Sequence, residues 1–204
     1  MTAYKNFVDD FPRRCQDILR FAGRRASFGG REVTLSLMVA SAGLIIPYER
    51  LKPGEFDHPS GDNINFSDAA DQLRNLLKQR FLSSAVWNAP VSTWQSGILE
   101  SVLGDPDSWD GLHNRVQLRA DKKVKEIIGV IRNALAHGNI FTFNNPIDAI
   151  IFLSRVDYKD VKKGYSFIYV SPGDFTMFLE KWFDFLDQLH IPQTEAYEVL
   201  KDAA

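Results

Sequence analysis

Cysteine is almost missing from this chain. Cys15 is the only one in 204 residues, so no disulfide can close within the chain, and a reducing, cytoplasmic setting is the expectation. Cys15 falls on an apolar helical stripe, where a free thiol behaves as a small buried hydrophobe rather than a nucleophile. Long apolar runs are also lacking. The longest, around Leu44-Ile45-Ile46, meets Pro47 well before the eighteen or so residues that span a bilayer, so no membrane association is expected. The opening Met1-Thr2-Ala3-Tyr4-Lys5 does not have the charged-then-apolar order of a signal peptide. No excess of positive charge is present: 24 Lys and Arg face 26 Asp and Glu, for a net charge of −2. That balance excludes coating of nucleic acid through bulk charge but leaves room for a local basic site.

Several chemistries are excluded by missing spacings. His58, His113 and His190 are scattered and form no zinc pattern. Gly29-Gly30 is not followed by the Lys-Ser or Lys-Thr of a phosphate loop, and no Gly-x-Ser-x-Gly elbow occurs. The stretch Asp105-Pro106-Asp107-Ser108-Trp109-Asp110-Gly111 lacks both the third acidic ligand and the closing glutamate of a calcium loop.

What is present is helical periodicity, aromatic residues led by 15 Phe, and enough chain to bury a core without staples. A first helix is predicted through Phe11, Cys15, Ile18 and Leu19, with Pro12 either in its first turn or at a kink. A second runs from about Arg31 to Ile46 and stops at Pro47. A loop covers Pro53 to Asn65. A third helix follows, capped by Asn65 or Ser67 and reaching about Ser84. Val91 to Leu103 reads as a shorter helix, and Gly104 to Asn114 as a loop. The next helix starts near Val116 or Asp121 and ends at His137, where Gly138 supplies a left-handed stop. Ile140–Phe143, Ala149–Val156 and Tyr165–Val170 are rich in β-branched and aromatic residues and predict a small antiparallel sheet. Ser171-Pro172-Gly173-Asp174 then introduces a helix whose stripe of Phe175, Phe178, Leu179, Trp182, Phe183, Leu186 and Leu189 suits core packing. The expectation is a mainly α fold forming one domain over 1–204, with a β insertion at about 140–170 before the C-terminal helix.

The helix ending at His137 carries the candidate chemistry. On a wheel of roughly 100° per residue, Val124, Ile128, Ile131 and Leu135 gather on one side of Arg132, while Ala136, Asn133 and His137 fall on the other. The polar trio is therefore expected to look away from the core stripe, with small Ala136 permitting close approach. Asn133 and His137 are four apart, so the amide can orient the imidazole. Arginine presents a planar fork that matches a phosphate. Histidine exchanges protons near neutral pH. Lys122, Lys123 and Lys125 precede the motif and suit either an RNA backbone or a solvated face.

The segment Ile131-Arg132-Asn133-Ala134-Leu135-Ala136-His137-Gly138-Asn139 resembles the signature of the HEPN superfamily, an Arg separated by four to six positions from a His late on a helix. The order of elements resembles a plasmid- and toxin-associated bacterial subgroup, and so does the opening up to about Lys52. The resemblance implies a HEPN-like helical bundle and a homodimer in which both motif helices line one cleft. It implies a metal-independent endoribonuclease without a cofactor, with Arg132, Asn133 and His137 as catalytic residues. Such proteins act in toxin–antitoxin or defence systems, so an antitoxin protein is a further expected partner. The alternative it carries is a non-catalytic module that binds a nucleotide, an RNA or a protein.

Overall fold

The computed structural model describes residues 10–23, 31–51, 67–89, 92–102, 105–158 and 161–189. The loop predicted over Pro53 to Asn65, the break at Phe28-Gly29-Gly30, His58, His190 and the tail from Ile191 lie outside them. The chain divides into two units, residues 1–77 with 179–204, and residues 78–178.

The first unit holds helices α1 (Asp10–Gly23), α2 (Glu32–Gly43), α3 (Ile45–Leu51) and α4 (Ser67–Lys78), together with the second half of α7 (Pro172–Gln188). Its core includes Cys15, Leu19, Val39, Ala40, Leu44, Trp182 and Phe183. Burial pushes the Cys15 thiol up to about 11. Pro47 does not end a helix, as its sequence position suggests. It sits in the first turn of α3, where a missing N–H costs nothing. The carbonyl one turn back, that of Gly43, accepts instead from the Trp182 indole N–H at 3.1 Å. Gly43 is also a point of close approach, since a Cβ there would stand 2.6 Å from the Phe183 ring and 3.2 Å from the Cys15 Cβ. The helical stretch Glu32–Leu51, 20 residues long, is by length and composition long and apolar enough to cross a membrane. The expectation of only short apolar runs overlooked it, because helix continues through Pro47. Its positions Val33, Val39, Ala40, Gly43 and Leu44 are buried in the unit.

The second unit corrects the expected architecture. It is not a helical bundle carrying a small β insertion. Five antiparallel strands form one sheet in the order β2-β1-β5-β4-β3. Strands β3 (Ile140–Phe143), β4 (Ala149–Tyr158) and β5 (Val161–Val170) follow the motif helix α6 (Val124–His137), but β1 (Gln95–Leu99) and β2 (Val116–Gln117) precede it. The fold is mixed, and the sheet is assembled from both sides of α6 in sequence.

The helix predicted over Val91 to Leu103 is therefore β1 and its flanks. Pairing with β5 over the register Gln95↔Tyr169 to Leu99↔Tyr165 overrides the local signal. Gly97 sits opposite Phe167, whose ring lies where a Cβ would be, 2.6 Å away. The expected loop from Gly104 to Asn114 contains a 3-10 turn (Pro106–Ser108) and a short helix, α5 (Asp110–His113). The third helix ends at Lys78 rather than Ser84, and a 3-10 turn (Phe81–Ser83) follows.

One sheet face packs Leu99, Ile151, Leu153 and Phe167 against Trp109 and Leu112. The other carries Ile150, Phe152, Ile168 and Val170, all buried. β4 is thus covered on both sides, which explains its unbroken apolar run. Ser171 caps α7, accepting from the Asp174 N–H at 3.2 Å, with Pro172 at the first helical position. The Asp174 carboxylate in turn accepts from the Thr93 N–H at 2.6 Å and the Thr93 hydroxyl at 2.7 Å.

Candidate active site at the end of helix α6

Helix α6 is fixed at both ends. It starts at Val124, later than expected, because 116–117 form β2 and the residues after them a turn. Its entry is tied to the preceding chain by the Phe81 N–H donating to Lys122 O at 2.7 Å and the Val124 N–H to Gln79 O at 3.0 Å. Glu126 reaches back to accept the Lys123 N–H at 2.9 Å, satisfying one of the orphan donors of a helix start. At the far end Gly138 adopts φ 68°, the left-handed conformation predicted for it. The Asn139 N–H returns to Ala134 O at 2.9 Å, and the Leu153 N–H donates to Asn139 O at 3.0 Å. The last turn of the helix is thereby joined to β4.

Val124, Ile127, Ile128, Ile131 and Ala134 form the buried stripe of α6. Arg132 and Asn133 are half-buried, and Ala136 and His137 are exposed. Ala136 and His137 look away from the core stripe, as expected, but Asn133 does not: it reaches a buried residue of β4. The Arg132 guanidinium donates to Asn133 Oδ1 at 2.9 Å, and the Asn133 amide donates to the Ser154 hydroxyl at 3.0 Å. Ser154, on β4, is 6% exposed. A buried hydroxyl needs a partner, and Asn133 supplies one. Asn133 was expected to orient His137, but its amide is committed to Arg132 and Ser154 instead. His137 has no hydrogen-bond partner among the described residues. Five residues apart, the side chains of Arg132 and His137 leave the helix about 140° apart in projection.

The structure does not bring the predicted lysines to this end of the helix. Lys125 lies roughly 18 Å from His137 along the axis, at about 1.5 Å per residue. Lys122 is paired with Glu126 at 2.7 Å, and Lys123 is exposed, its backbone pairing with that of Arg80 in an isolated antiparallel β-bridge. Burial raises the Glu126 pKa, but the hydrogen bonds from Lys122 and the Lys123 N–H outweigh it and hold the carboxyl below the ordinary glutamate value. Among the described residues, no group of three or more His, Cys, Asp or Glu is placed to hold a metal ion.

Sequence reasoning missed Ser154. It is the lone polar side chain among the buried residues 149–154, and an isolated polar residue in an apolar strand was the available signal. It also missed a groove of about 470 Å³ beside α6. The floor includes Ser96, Ile98, Ser154, Ser166 and Ile168, and Lys122, Lys125, Glu126, Gly129 and Val130 stand along the helix side.

The family described as HEPN pEK499 p136 matches residues 1–193. The chain belongs to this HEPN family. No curated protein and no solved structure matches the chain. The match includes residues of both units.

Proposed function

We propose that this HEPN protein is a metal-independent endoribonuclease whose active site is completed by a second copy of the chain. One observation carries the reading: an unpartnered, exposed imidazole at a helix end fastened to a sheet, five residues from a guanidinium steadied by Asn133 and Ser154. Because Arg132 and His137 of one chain diverge around α6, two helices meeting on a two-fold axis put complementary groups on one phosphate. In the reaction, an RNA 2′-hydroxyl attacks the adjacent phosphorus while one His137 takes its proton. The bond to the 5′-oxygen breaks, and the other His137 protonates that leaving oxygen. The products are a 2′,3′-cyclic phosphate and a 5′-hydroxyl. The two Arg132 side chains hold the non-bridging oxygens as charge grows on them. DNA has no 2′-hydroxyl and is spared.

Incubation with structured RNA in EDTA tests this. Cleavage is expected in wild type and lost in Arg132→Ala and His137→Ala. Cleavage that needs added metal, or survives His137→Ala, refutes the mechanism. A toxin or defence role, with an antitoxin partner in the cytoplasm, predicts that induced wild type slows growth and the two variants do not. A second reading, a non-catalytic nucleotide-binding module, is favoured by the groove beside α6. It predicts ligand binding without cleavage.

A further inference from the structure

The groove on the sheet side of α6 is built, not a gap left by loose packing. Its floor rows follow the sheet register. Ile98 lies opposite Ser166 and Ser166 opposite Ser154, while Ser96 lies opposite Ile168. Residues paired across antiparallel strands share a face, so these five side chains rise together toward the helix. Ser96 and Ser166 are half-buried, and their hydroxyls have no hydrogen-bond partner among the described residues. Ile98 is 59% exposed although it stands mid-strand on the face that α6 covers further along. Leu118, Val130 and Val156 complete an apolar wall. On the helix side Gly129 adds nothing, and no atom lies within 4 Å of where its Cβ would be. The rim is basic: Lys122 and Lys125 against the single carboxylate of Glu126. Lys125 has no ion pair among the described residues.

Apolar walls, free hydroxyls on the floor and net positive charge at the mouth fit a flat heterocycle that carries a phosphate. The volume of about 470 Å³ lies in the range that holds small organic ligands. Ser154 links this groove to the motif, since its hydroxyl forms part of the floor and accepts from Asn133. We infer that the groove is a base subsite: it takes one nucleotide of the substrate RNA, the base against Ile98 and Ile168 with its edge on Ser96 and Ser166, and the phosphate at Lys122 and Lys125. The inference rests on the ribonuclease reading for the identity of the polymer, while nucleotide binding itself stands or falls separately. That nucleotide is remote from the scissile bond, since Lys125 lies roughly 18 Å from His137 along the helix.

Methyl-resolved NMR of Ile98 and Ile168 in the full chain tests it, with each common ribonucleoside 5′-monophosphate as probe and inorganic phosphate as control. At least one monophosphate is expected to shift both methyls saturably, and phosphate alone is not. Gly129→Leu fills the mouth from a position with open space, and it raises helix propensity, so folding is retained. It is expected to weaken binding by about tenfold or more. Ser166→Leu, from the floor, is expected to do the same, and His137→Ala to leave binding unchanged. The inference is overturned if no monophosphate moves the two methyls, if inorganic phosphate reproduces the full shift, or if the folded Gly129→Leu protein binds as wild type does. Binding in the groove without RNA cleavage would sink the nuclease reading and leave the base subsite standing. Cleavage with an empty groove would do the reverse.

Discussion

The two ends of α6 are both polar, yet they are organised in opposite ways. At the N-terminal end the one carboxylate is fully engaged: Lys122 bonds Glu126, and Glu126 also takes the Lys123 N–H, while Lys125 has no ion pair among the described residues. At the C-terminal end Arg132 and Asn133 are braced by β4, while His137 is left exposed and unpartnered. Paired groups at a helix start serve the helix. The exposed imidazole contributes no side-chain hydrogen bond to the fold, and the proposed reaction gives it the proton-transfer role.

The sharpest way to break this contrast is His137→Ala. RNA cleavage is expected to fall by about 10²–10⁴-fold, the usual worth of a positioned acid or base, with the melting temperature unchanged. A melting shift comparable to that of a core variant would mean that His137 is structural. Asn133→Ala removes the brace. It leaves the buried Ser154 hydroxyl unpaired, at a cost of about 1–2 kcal/mol in denaturant titration, and lowers kcat by roughly tenfold by loosening Arg132. Gly138→Ala forces an alanine to φ 68°. A loss of about 1 kcal/mol is expected, a fall of roughly 2–4 °C in melting temperature for a chain of this size. Glu126→Gln acts at the other end and is the mildest, about 0.5 kcal/mol at neutral pH. Because the folded carboxyl titrates below its ordinary value, its contribution is present above that value and lost as pH falls through the lower, folded one. The stability gap between Glu126→Gln and wild type should therefore close on acidification. A gap that persists below that range would place the effect in packing instead.

The contrast also marks what the residues disclosed before any coordinates. The C-terminal end of α6 was legible because its signals are local: an apolar stripe, Arg132, His137 and a glycine stop lie within fifteen residues. The stripe of α7 was legible for the same reason, and Phe175, Phe178, Leu179, Trp182, Phe183, Leu186 and Leu189 are all buried. The sheet's first two strands were not. Gln95–Leu99 acquires its conformation from Tyr165–Tyr169, some seventy residues on, and Gly97 is tolerated in a strand only because the Phe167 ring covers it. Pro47 was misread as a stop because the partner that replaces its absent N–H, Trp182, lies 139 positions from the Gly43 carbonyl that it satisfies. The groove was hidden altogether, since its lining is drawn from β1, β4, β5 and α6, and no local pattern brings those segments together.

The hydrogen bond from the Leu153 amide to the Asn139 carbonyl has a dynamic consequence. Helix termini ordinarily fray, and their amides exchange with solvent quickly. Here unwinding past His137 would have to strip a sheet contact as well. Amide protons of the last turn should then exchange at rates closer to those of the central strands than to those of a free helix end. In the proposed reaction, the imidazole then adjusts to RNA by rotation about its own side-chain bonds, while the backbone beneath it holds still.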